Sequence, residues 1–435
     1  MRQLHRMKTL DQIAAELQGY DPNALPAATV GAFLERLVAP LRDAEEVDVF
    51  DALDRVLAQD VISPMSVPPH DNAAMDGYAL RGSSLAAAGE TVLRVVGTCY
   101  AGEAGWRADV PPDGCVRIMT GAVMPPGLDT VVPIEFVAPA GPDLVRIPAG
   151  VVHAGDNRRL RGEDLMAGQP ALRAGQRLGP AALGLIASLG IARVPVVRRL
   201  RVAYFSTGDE ILSLGEPLRD GAIYDSNRYT IYGLLRRLGV EVLDLGVVRD
   251  DPAALEAAFR QAAAQADAVI TSGGVSMGEA DHTKAMMRRL GDVAFWRIAM
   301  RPGRPMAVGR LADPATGRDT VLFGLPGNPV AVMVTFLAFV RPALLRMMGA
   351  RDTTALLVRA RSAEAMRKKP GRTEYQRGIV TRAADGSLQV RTTGHQGSGV
   401  LRSMVEANAL IVLGHDQGSV AVGDEVDVML FDGVI

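Results

Sequence analysis

Cysteine and lysine are both scarce in this chain of 435 residues. Its two cysteines, Cys99 and Cys115, are too few for a disulfide framework, a four-cysteine zinc site or a four-thiolate cluster. This scarcity predicts a cytoplasmic location. Lysine occurs only at positions 8, 284, 368 and 369, so nearly all of the 47 basic residues are arginine. A coding preference is the simpler interpretation, and recruitment for bidentate anion contacts is the alternative.

The chain also lacks a large excess of charge and a long apolar segment. Its net charge of −2 offers no basic surplus for a nucleic-acid backbone or an anionic membrane surface. The longest predominantly apolar run, residues 330–340, is well short of the roughly 20 residues of a transmembrane helix, so we expect a buried helix. The six histidines include no pair at metal-ligand spacing. We therefore expect neither nucleic acid nor a membrane as a partner.

Changes of pattern along the chain predict an α/β multidomain protein. The parts are an N-terminal tail, a split α-rich domain, an inserted β-rich domain, an α/β domain and a C-terminal β-barrel. Their predicted bounds are residues 1–27, 28–66 with 161–199, 67–160, 200–350 and 351–435. In the split domain, apolar residues at helical spacing predict a helix that begins at Asp43.

Residues 200–350 alternate short apolar runs with helical patterns. Strand candidates at residues 202–205, 240–248, 268–271 and 321–325 alternate with helix candidates, which predicts a doubly wound, parallel-rich sheet. One helix candidate begins with Asp251 as its N-cap and Pro252 at its first position. Ligands of such sheets lie beyond the carboxyl ends of the strands.

Three of these strands end in small polar loops, at residues 206–210, 271–276 and 324–329. Glycines allow close approach of backbone to ligand, and free amides at helix starts bind anions. None of the loops matches the dinucleotide fingerprint or the P-loop, which argues against a nicotinamide enzyme and a P-loop NTPase. The loops instead predict contacts to a phosphate-bearing ligand from Ser206, Thr207, Gly208, Ser272, Gly273, Gly274, Ser276, Gly327 and Asn328.

Charged residues recur beside these loops. Carboxylates next to phosphate suggest a bridging Mg²⁺, and we predict Glu210 and Asp281 as its ligands. Asp251 is better explained by helix capping. Three arginines within residues 296–304 are either surface charge or a set of fixed anion donors. Residues 71–78 and 157–164 are also dense in polar groups, and taken alone they would be turns or solvated faces.

Seven stretches in order along the chain resemble the molybdopterin molybdenumtransferase (MoeA) family, which is related to the gephyrin E domain. They are residues 71–79, 117–122, 161–164, 205–210, 272–276, 324–329 and 394–398. The first 27 residues are outside the resemblance. It implies an elongated homodimer of four-domain chains that converts adenylylated molybdopterin and molybdate into molybdenum cofactor and AMP, with Mg²⁺. It also implies a transient contact with the molybdopterin adenylyltransferase.

The resemblance further implies one cleft that is shared by two subunits. One subunit contributes Asp76, Thr120, Glu163 and Asp164. The other contributes Ser206, Glu210, Asp250, Ser272, Gly273, Asp281, Pro326 and Pro329 from the α/β domain, and Arg377 and Ser398 from the barrel. The predicted catalytic residues are Asp76, Thr120, Glu163, Asp164, Glu210 and Asp281.

Our role assignments place Mg²⁺ and pyrophosphate at Glu210 and Asp281, and molybdate or phosphate at Arg297 and Arg301. Family members often carry lysine at the two arginine positions. Arginine keeps the charge but lends no proton near neutral pH, so an anion-holding role is retained and a proton-transferring role is not.

Two other functions compete with molybdenum insertion. A molybdopterin adenylyltransferase shares the α/β domain, but its family lacks the flanking domains and the segment at residues 71–78. A gephyrin-like scaffold would bind a partner peptide, and no segment outside the four-domain span offers a module for one. Release of AMP only on addition of molybdate distinguishes the transferase from both.

Overall fold

The computed structural model describes residues 8–275 and 282–434. Two predicted site residues, Ser276 and Asp281, lie outside the described residues. The α-helices within them are Leu10–Ala15, Ala27–Leu37, Pro180–Ser188, Ser226–Leu238, Pro252–Gln265, His282–Leu290, Pro329–Thr335, Arg341–Met347 and Arg402–Glu406. The π-helical turn Phe336–Val340 joins two of them into one continuous helix.

The α/β region is built on a six-stranded sheet. Its strands, in spatial order, are Glu241–Val248, Arg201–Thr207, Ala268–Ser272, Asp319–Leu325, Pro305–Ala312 and Gly291–Arg297. The first four strands are parallel to one another. The strand Pro305–Ala312 is antiparallel to both of its neighbours, Asp319–Leu325 and Gly291–Arg297. Successive residues of the strand Arg201–Thr207 enter two different apolar cores, because side chains alternate between the faces of a sheet. The predicted doubly wound, parallel-rich sheet is confirmed.

Helix capping in this region follows the sequence. Asp251 caps Pro252–Gln265 by accepting hydrogen bonds from the amides of residues 253 and 254. Asp225 caps Ser226–Leu238 by accepting from the Arg228 amide at 3.0 Å. These contacts confirm the capping role that we predicted for Asp251.

The span Pro329–Met347 is the one helix of the described chain that is long and apolar enough to cross a membrane. Its mean hydropathy is 1.8, and 83% of the window is buried inside the protein. It packs against the sheet through Val330, Val334 and Leu337. The span is therefore a core helix, as its short apolar run predicts.

The two segments that flank the β-rich insertion pair with each other. Ala44–Asp48 is antiparallel to Arg193–Val197, and Val61–Ile62 to Pro170–Leu172. The helix that we predicted from Asp43 is wrong: this stretch is a strand followed by the 3₁₀ turn Val49–Asp51. The apolar residues that suggested a helix include Phe50, which is 96% exposed.

The inserted region, residues 67–160, contains a second six-stranded sheet. Its strands, in spatial order, are Thr130–Pro133, Gly77–Leu80, Gly114–Ile118, Glu90–Cys99, Leu144–Pro148 and Ala138–Gly141. A short ladder beside it pairs Asn72–Ala73 with Arg158–Arg159. This ladder brings together the two polar segments that are far apart in sequence.

The C-terminal region closes into a five-stranded barrel. Its strands, in order around the barrel, are Thr373–Arg382, Leu388–Thr392, Leu357–Ser362, Glu425–Leu430 and Ala409–Leu413, and the last pairs back to the first. A sixth strand, Met300–Arg301, comes from the α/β region and pairs in parallel with Thr373–Glu374. Another short ladder, Ile211–Leu212 with Ile223–Tyr224, lies in the α/β region.

Residues 8–25 pack on the protein instead of extending as a tail. Thr9 caps the helix Leu10–Ala15, and Leu10 and Ile13 are buried in the same core as the α/β sheet. Leu25 is fully buried and forms a bridge to Ile298. The apolar side chains of this segment account for the packing.

Candidate active site

Two of the three polar loops begin in a buried cluster of hydroxyl groups. The Oη atom of Tyr204 lies 2.8 Å from Ser206 Oγ and 2.6 Å from Ser272 Oγ, and the two serine oxygens are 3.2 Å apart. All three residues are at most 2% exposed. Burial raises the pKa of Tyr204 above its ordinary value, with a further contribution from the charge of Asp225. Tyr204 is therefore a neutral group that can orient both serines.

The glycines of the second loop permit close contact between the strand ends. Gly273 has φ +91°, and a Cβ there would lie 2.4 Å from the carbonyl oxygen of Thr207. Its amide donates to the Leu325 carbonyl at 3.2 Å, and this bond links the end of the strand Ala268–Ser272 to the end of Asp319–Leu325. Gly274 has φ +64°, and a Cβ would meet Thr283. The loops from these parallel strands thus converge on one sheet edge.

The third loop joins this edge to the barrel. Asn328 Nδ2 donates to Ser398 Oγ at 3.1 Å, and the Val330 amide donates to the Ser398 carbonyl at 3.1 Å. The carbonyl of Gly327 accepts a hydrogen bond from Asn227 at 2.7 Å. A cavity of about 580 Å³ opens between loop and barrel; its wall includes Arg301, Arg304, Pro326, Gly327, Asn328 and Ser398. Pro329 follows as the first residue of the core helix.

Arg377 is fully buried at the base of a neighbouring cavity. Its Nε donates to Ser403 Oγ at 3.0 Å, and its Nη2 donates to the Gly397 carbonyl at 2.9 Å. Its Nη1 has no hydrogen-bond partner within the described chain. Burial lowers the pKa of Arg377 to about 10, with a contribution from the nearby charge of Arg301, so the guanidinium stays protonated at neutral pH. Both arginines line this cavity of about 270 Å³, which suits an anion.

Carboxylates flank the same sheet edge. The Glu210 carboxylate lies so close to Gly208 that a Cβ on Gly208 would be 2.7 Å from Oε2. Asp250 accepts from Thr283 Oγ1 at 3.5 Å, and its amide donates to Asp209 Oδ1 at 3.4 Å. In residues 8–275 and 282–434, no group of three or more His, Cys, Asp and Glu side chains could hold a metal ion. Mg²⁺ needs only one or two carboxylates when phosphates and water complete its shell, so Glu210 fits such a site.

Arg297 and Arg301 line different cavities. Arg301 borders the two at the barrel, whereas Arg297 borders a third of about 470 Å³, together with Lys284, Phe295 and Arg304. Arg304 lines the cavities of about 580 Å³ and about 470 Å³. It belongs to the arginine run that we noticed in the sequence, but we did not assign it a role.

A second group of predicted residues lies in the inserted region. Asp76 Oδ1 accepts two hydrogen bonds from Thr120, from the hydroxyl at 2.6 Å and from the amide at 2.7 Å. These bonds, with the more distant charge of Arg117, lower the pKa of Asp76. The pair is exposed, so its polar atoms are open to a ligand or to another chain.

The ladder between residues 72–73 and 158–159 joins the segment before Asp76 to the segment before Glu163 and Asp164. Glu163 accepts from Arg159 Nε at 2.7 Å and from the Leu160 amide at 2.8 Å, and both bonds lower its pKa. Asp164 is held through its backbone, whose amide donates to the Val67 carbonyl. The four residues form an exposed acidic group, which we call the acidic cluster: Asp76, Thr120, Glu163 and Asp164.

Within one chain, the described residues leave the acidic cluster separate from the sheet edge. No hydrogen bond or ion pair among them joins residues 67–160 to residues 200–434. The structure therefore brings the predicted residues together as two groups, one in the inserted region and one between the α/β sheet and the barrel.

Some residues around the site were missed from the sequence. Tyr204 is hidden in an apolar strand run, and only its position two residues before Ser206, on the same face, hints at a shared role. Gln396 accepts from the Arg377 amide at 2.8 Å and donates back to the Arg377 carbonyl. It lies in the 394–398 stretch, so its polarity beside Ser398 was a usable indication.

Family models cover most of the chain. The MoeA N-terminal region (domain I and II) matches residues 26–190. A probable molybdopterin binding domain matches residues 203–346, and the MoeA C-terminal region (domain IV) matches residues 359–431.

Individual proteins agree with these matches. A molybdopterin molybdenumtransferase of Haemophilus influenzae is 40% identical over 403 residues, which cover 92% of this chain and 97% of the relative. One from Nostoc is 36% identical and covers 89% of each chain. A solved molybdopterin biosynthesis MoeA protein from Pyrococcus horikoshii superposes with a TM-score of 0.79 at 27% identity, covering 94% of this chain and all of that one.

Proposed function

The chain belongs to the MoeA family of molybdopterin molybdenumtransferases, and from this premise we propose that it inserts molybdate into adenylylated molybdopterin. It is a transferase of molybdenum cofactor biosynthesis, and the proposed products are molybdenum cofactor and AMP. One observation carries the assignment to this site: the third polar loop and a buried, incompletely paired arginine border adjoining cavities at one sheet edge.

The two kinds of anion in the reaction suit different parts of this edge. Ser206, Ser272 and the glycine-rich backbone offer neutral donors, which suit the phosphates of the adenylylated substrate. Arg301 and the free Nη1 of Arg377 offer fixed positive charge, which suits the molybdate dianion. Arg297 provides a further cation at the neighbouring cavity. Binding both anions side by side would hold the reactants in position for transfer.

We propose Glu210 as a Mg²⁺ ligand at this edge, and Asp281 as a second from outside the described residues. When bound, the ion would offset the repulsion between these carboxylates and the substrate phosphates. Asp250 is close enough in the fold to orient water in the same shell. The serines and backbone amides of the loops would hold the substrate phosphates and keep them apart from the carboxylates.

We assign the acidic cluster to the cleft of a second copy of the chain. Asp76 and Glu163 are exposed and their pKa values are lowered, so both remain carboxylates over a wide pH range. Such groups can accept protons or hydrogen bonds from a substrate that another subunit holds. A homodimer in the cytoplasm, with the adenylyltransferase as a transient donor of substrate, completes the proposal. The adenylyltransferase alternative leaves the inserted region and the barrel without a role.

Co-expression of two differently tagged inactive variants tests the shared cleft. A chain with Asp76→Asn and a chain with Arg301→Ala should regain activity when mixed, because half of the mixed dimers' clefts contain neither change. About one quarter of wild-type molybdate-dependent AMP release is expected for random pairing.

The matched control places both substitutions on one chain and mixes it with wild type. In a shared cleft every mixed dimer is then inactive, and only wild-type dimers contribute. Activity that does not recover in the first mixture, while each single variant is inactive, would refute the shared cleft. AMP release that is independent of molybdate would refute the transferase function.

A further inference from the structure

The N-terminal segment at residues 20–25 precedes the part of the chain that the family model matches, and it contacts the end of the strand that carries Arg297. This strand, Gly291–Arg297, is at the edge of the α/β sheet and pairs on one side only with Pro305–Ala312. An edge strand leaves backbone groups without sheet partners. The segment at residues 20–25 supplies partners for the last of them.

Two backbone hydrogen bonds join Arg297 to the N-terminal segment. Its amide donates to the Pro22 carbonyl at 2.7 Å, and its carbonyl accepts from the Leu25 amide at 3.1 Å. The Ala299 amide then donates to the Leu25 carbonyl at 2.8 Å. Leu25 is fully buried, so these bonds are anchored in the core. Both backbone polar groups of Arg297 are therefore satisfied by the N-terminal segment.

The side chain before Arg297 is fixed by the same segment. Trp296 is 3% exposed, and its Nε1 donates to Tyr20 Oη at 2.8 Å. Phe33 packs edge-to-face on Trp296 with ring centroids 4.8 Å apart. Because neighbouring side chains in a strand point to opposite faces, fixing Trp296 inward directs Arg297 outward.

Outward of the strand, Arg297 meets the cavity of about 470 Å³ that it shares with Arg304. Pro22 and Asn23 form part of the wall of that cavity. The segment thus contacts both the backbone of Arg297 and the cavity that Arg297 lines.

We propose that residues 20–25 are a positioning element that sets the direction of the Arg297 side chain for anion binding, with Tyr20 acting through Trp296. The inference rests on the proposed role of Arg297 in holding an anion, which we take here to be molybdate. Tyr20 itself is a positioning residue and does not contact the anion.

A double-mutant cycle with Tyr20→Phe and Arg297→Ala tests it in the full-length protein. Tyr20→Phe keeps the ring and removes one buried hydrogen bond, and we expect the KM for molybdate to rise about 3- to 10-fold with little change in kcat. If Tyr20 acts through Arg297, the double variant should have the KM of Arg297→Ala alone. Glu16→Gln, which breaks an exposed ion pair with Lys8 in the same part of the chain, is the matched control and should leave KM unchanged.

The outcomes separate this inference from the proposed function. If Arg297→Ala leaves the molybdate dependence unchanged, the role of Arg297 is wrong and the positioning role is overturned with it. If Arg297→Ala raises KM but Tyr20→Phe does not, or the two effects multiply, Arg297 binds the anion and the positioning inference alone is overturned. A lower thermal midpoint for Tyr20→Phe with unchanged KM also overturns it, because that is the signature of a structural contact only.

Discussion

The two groups of candidate site residues differ in how they hold their charge. The acidic cluster is exposed, and short local hydrogen bonds lower the pKa values of Asp76 and Glu163. Arg377 is buried beside the edge of the α/β sheet. Burial lowers its pKa, because it disfavours the charged form of the guanidinium. The first group is stabilised in its charged state by its own neighbours, whereas the second has a donor that its neighbours leave unpaired.

This contrast indicates that the two groups meet their ligands differently. The cavity beside Arg377 exists in the single chain, with its arginine already desolvated and oriented, so a bound anion gains from a low local dielectric. The acidic cluster has no such enclosure in the described chain. Its carboxylates gain a desolvated environment only when another surface covers them, which fits the shared cleft that we propose.

Removal of the buried arginine should have the largest effect. Arg377→Ala deletes a fully buried side chain and leaves the Gly397 carbonyl and Ser403 without their donor. We expect a loss of about 2–4 kcal/mol in unfolding free energy, together with loss of molybdate-dependent AMP release. Thermal unfolding and the activity assay measure the two effects.

The control for this variant is Arg382→Ala, at the exposed end of the same strand, which should be near neutral in both measurements. A stable Arg377→Ala protein with full activity would show that the buried arginine supports neither stability nor anion binding, and the contrast between the two groups would be wrong.

A smaller effect is expected from the hydroxyl that supports Asp76. Thr120→Val removes the first of the bonds that lower the pKa of Asp76, so that pKa should move up toward its ordinary value. Because Asp76 acts as a carboxylate in the proposal, activity is present above its pKa and lost as pH falls through it. The acid limb of the pH–activity profile should therefore shift to higher pH.

Thr98→Val is a suitable control, since it makes the same change elsewhere in the inserted sheet. An acid limb that stays in place for Thr120→Val would show that Asp76 does not titrate in the reaction.

The smallest effect is expected at the hydroxyl cluster. Tyr204→Phe removes one shared partner of Ser206 and Ser272, but the two serines remain 3.2 Å apart and can bond to each other. We expect a destabilisation of about 1 kcal/mol and a modest rise in KM for the adenylylated substrate. Tyr232→Phe, at an exposed helix position, is the control for unfolding and kinetics. An unchanged substrate KM would assign the cluster to stability alone.

Local patterns in the sequence predicted the α/β region well. Its parallel strands are short apolar runs, and Asp251 with Pro252 marks a helix start by local chemistry. The antiparallel strand Pro305–Ala312 was missed, because Gly309 and Arg310 interrupt its otherwise apolar sequence. Val47 was misassigned to a helix, since its strand partner, Val194, is about 150 residues away and leaves no local mark.

The site was predictable in membership but not in arrangement. The resemblance named both Asp76 and Thr120, yet the two residues that make this contact are 44 positions apart in the sequence. It also named Arg377, whose complete burial is unusual for arginine, and whose guanidinium donates to groups in the segment 395–403. The contacts of residues 22–25 could not be predicted from the sequence, because their partners lie at the edge of the α/β sheet, near residue 297.

The strand Met300–Arg301 has a mechanical consequence. Because it is part of the barrel's own hydrogen-bonded sheet, the barrel is fastened to the α/β region at a second point besides the covalent connector near residue 351. After a protease cut in that connector, the two fragments should remain associated as one complex. Any movement of the barrel away from the α/β region must therefore break the pairing of the strand that carries Arg301.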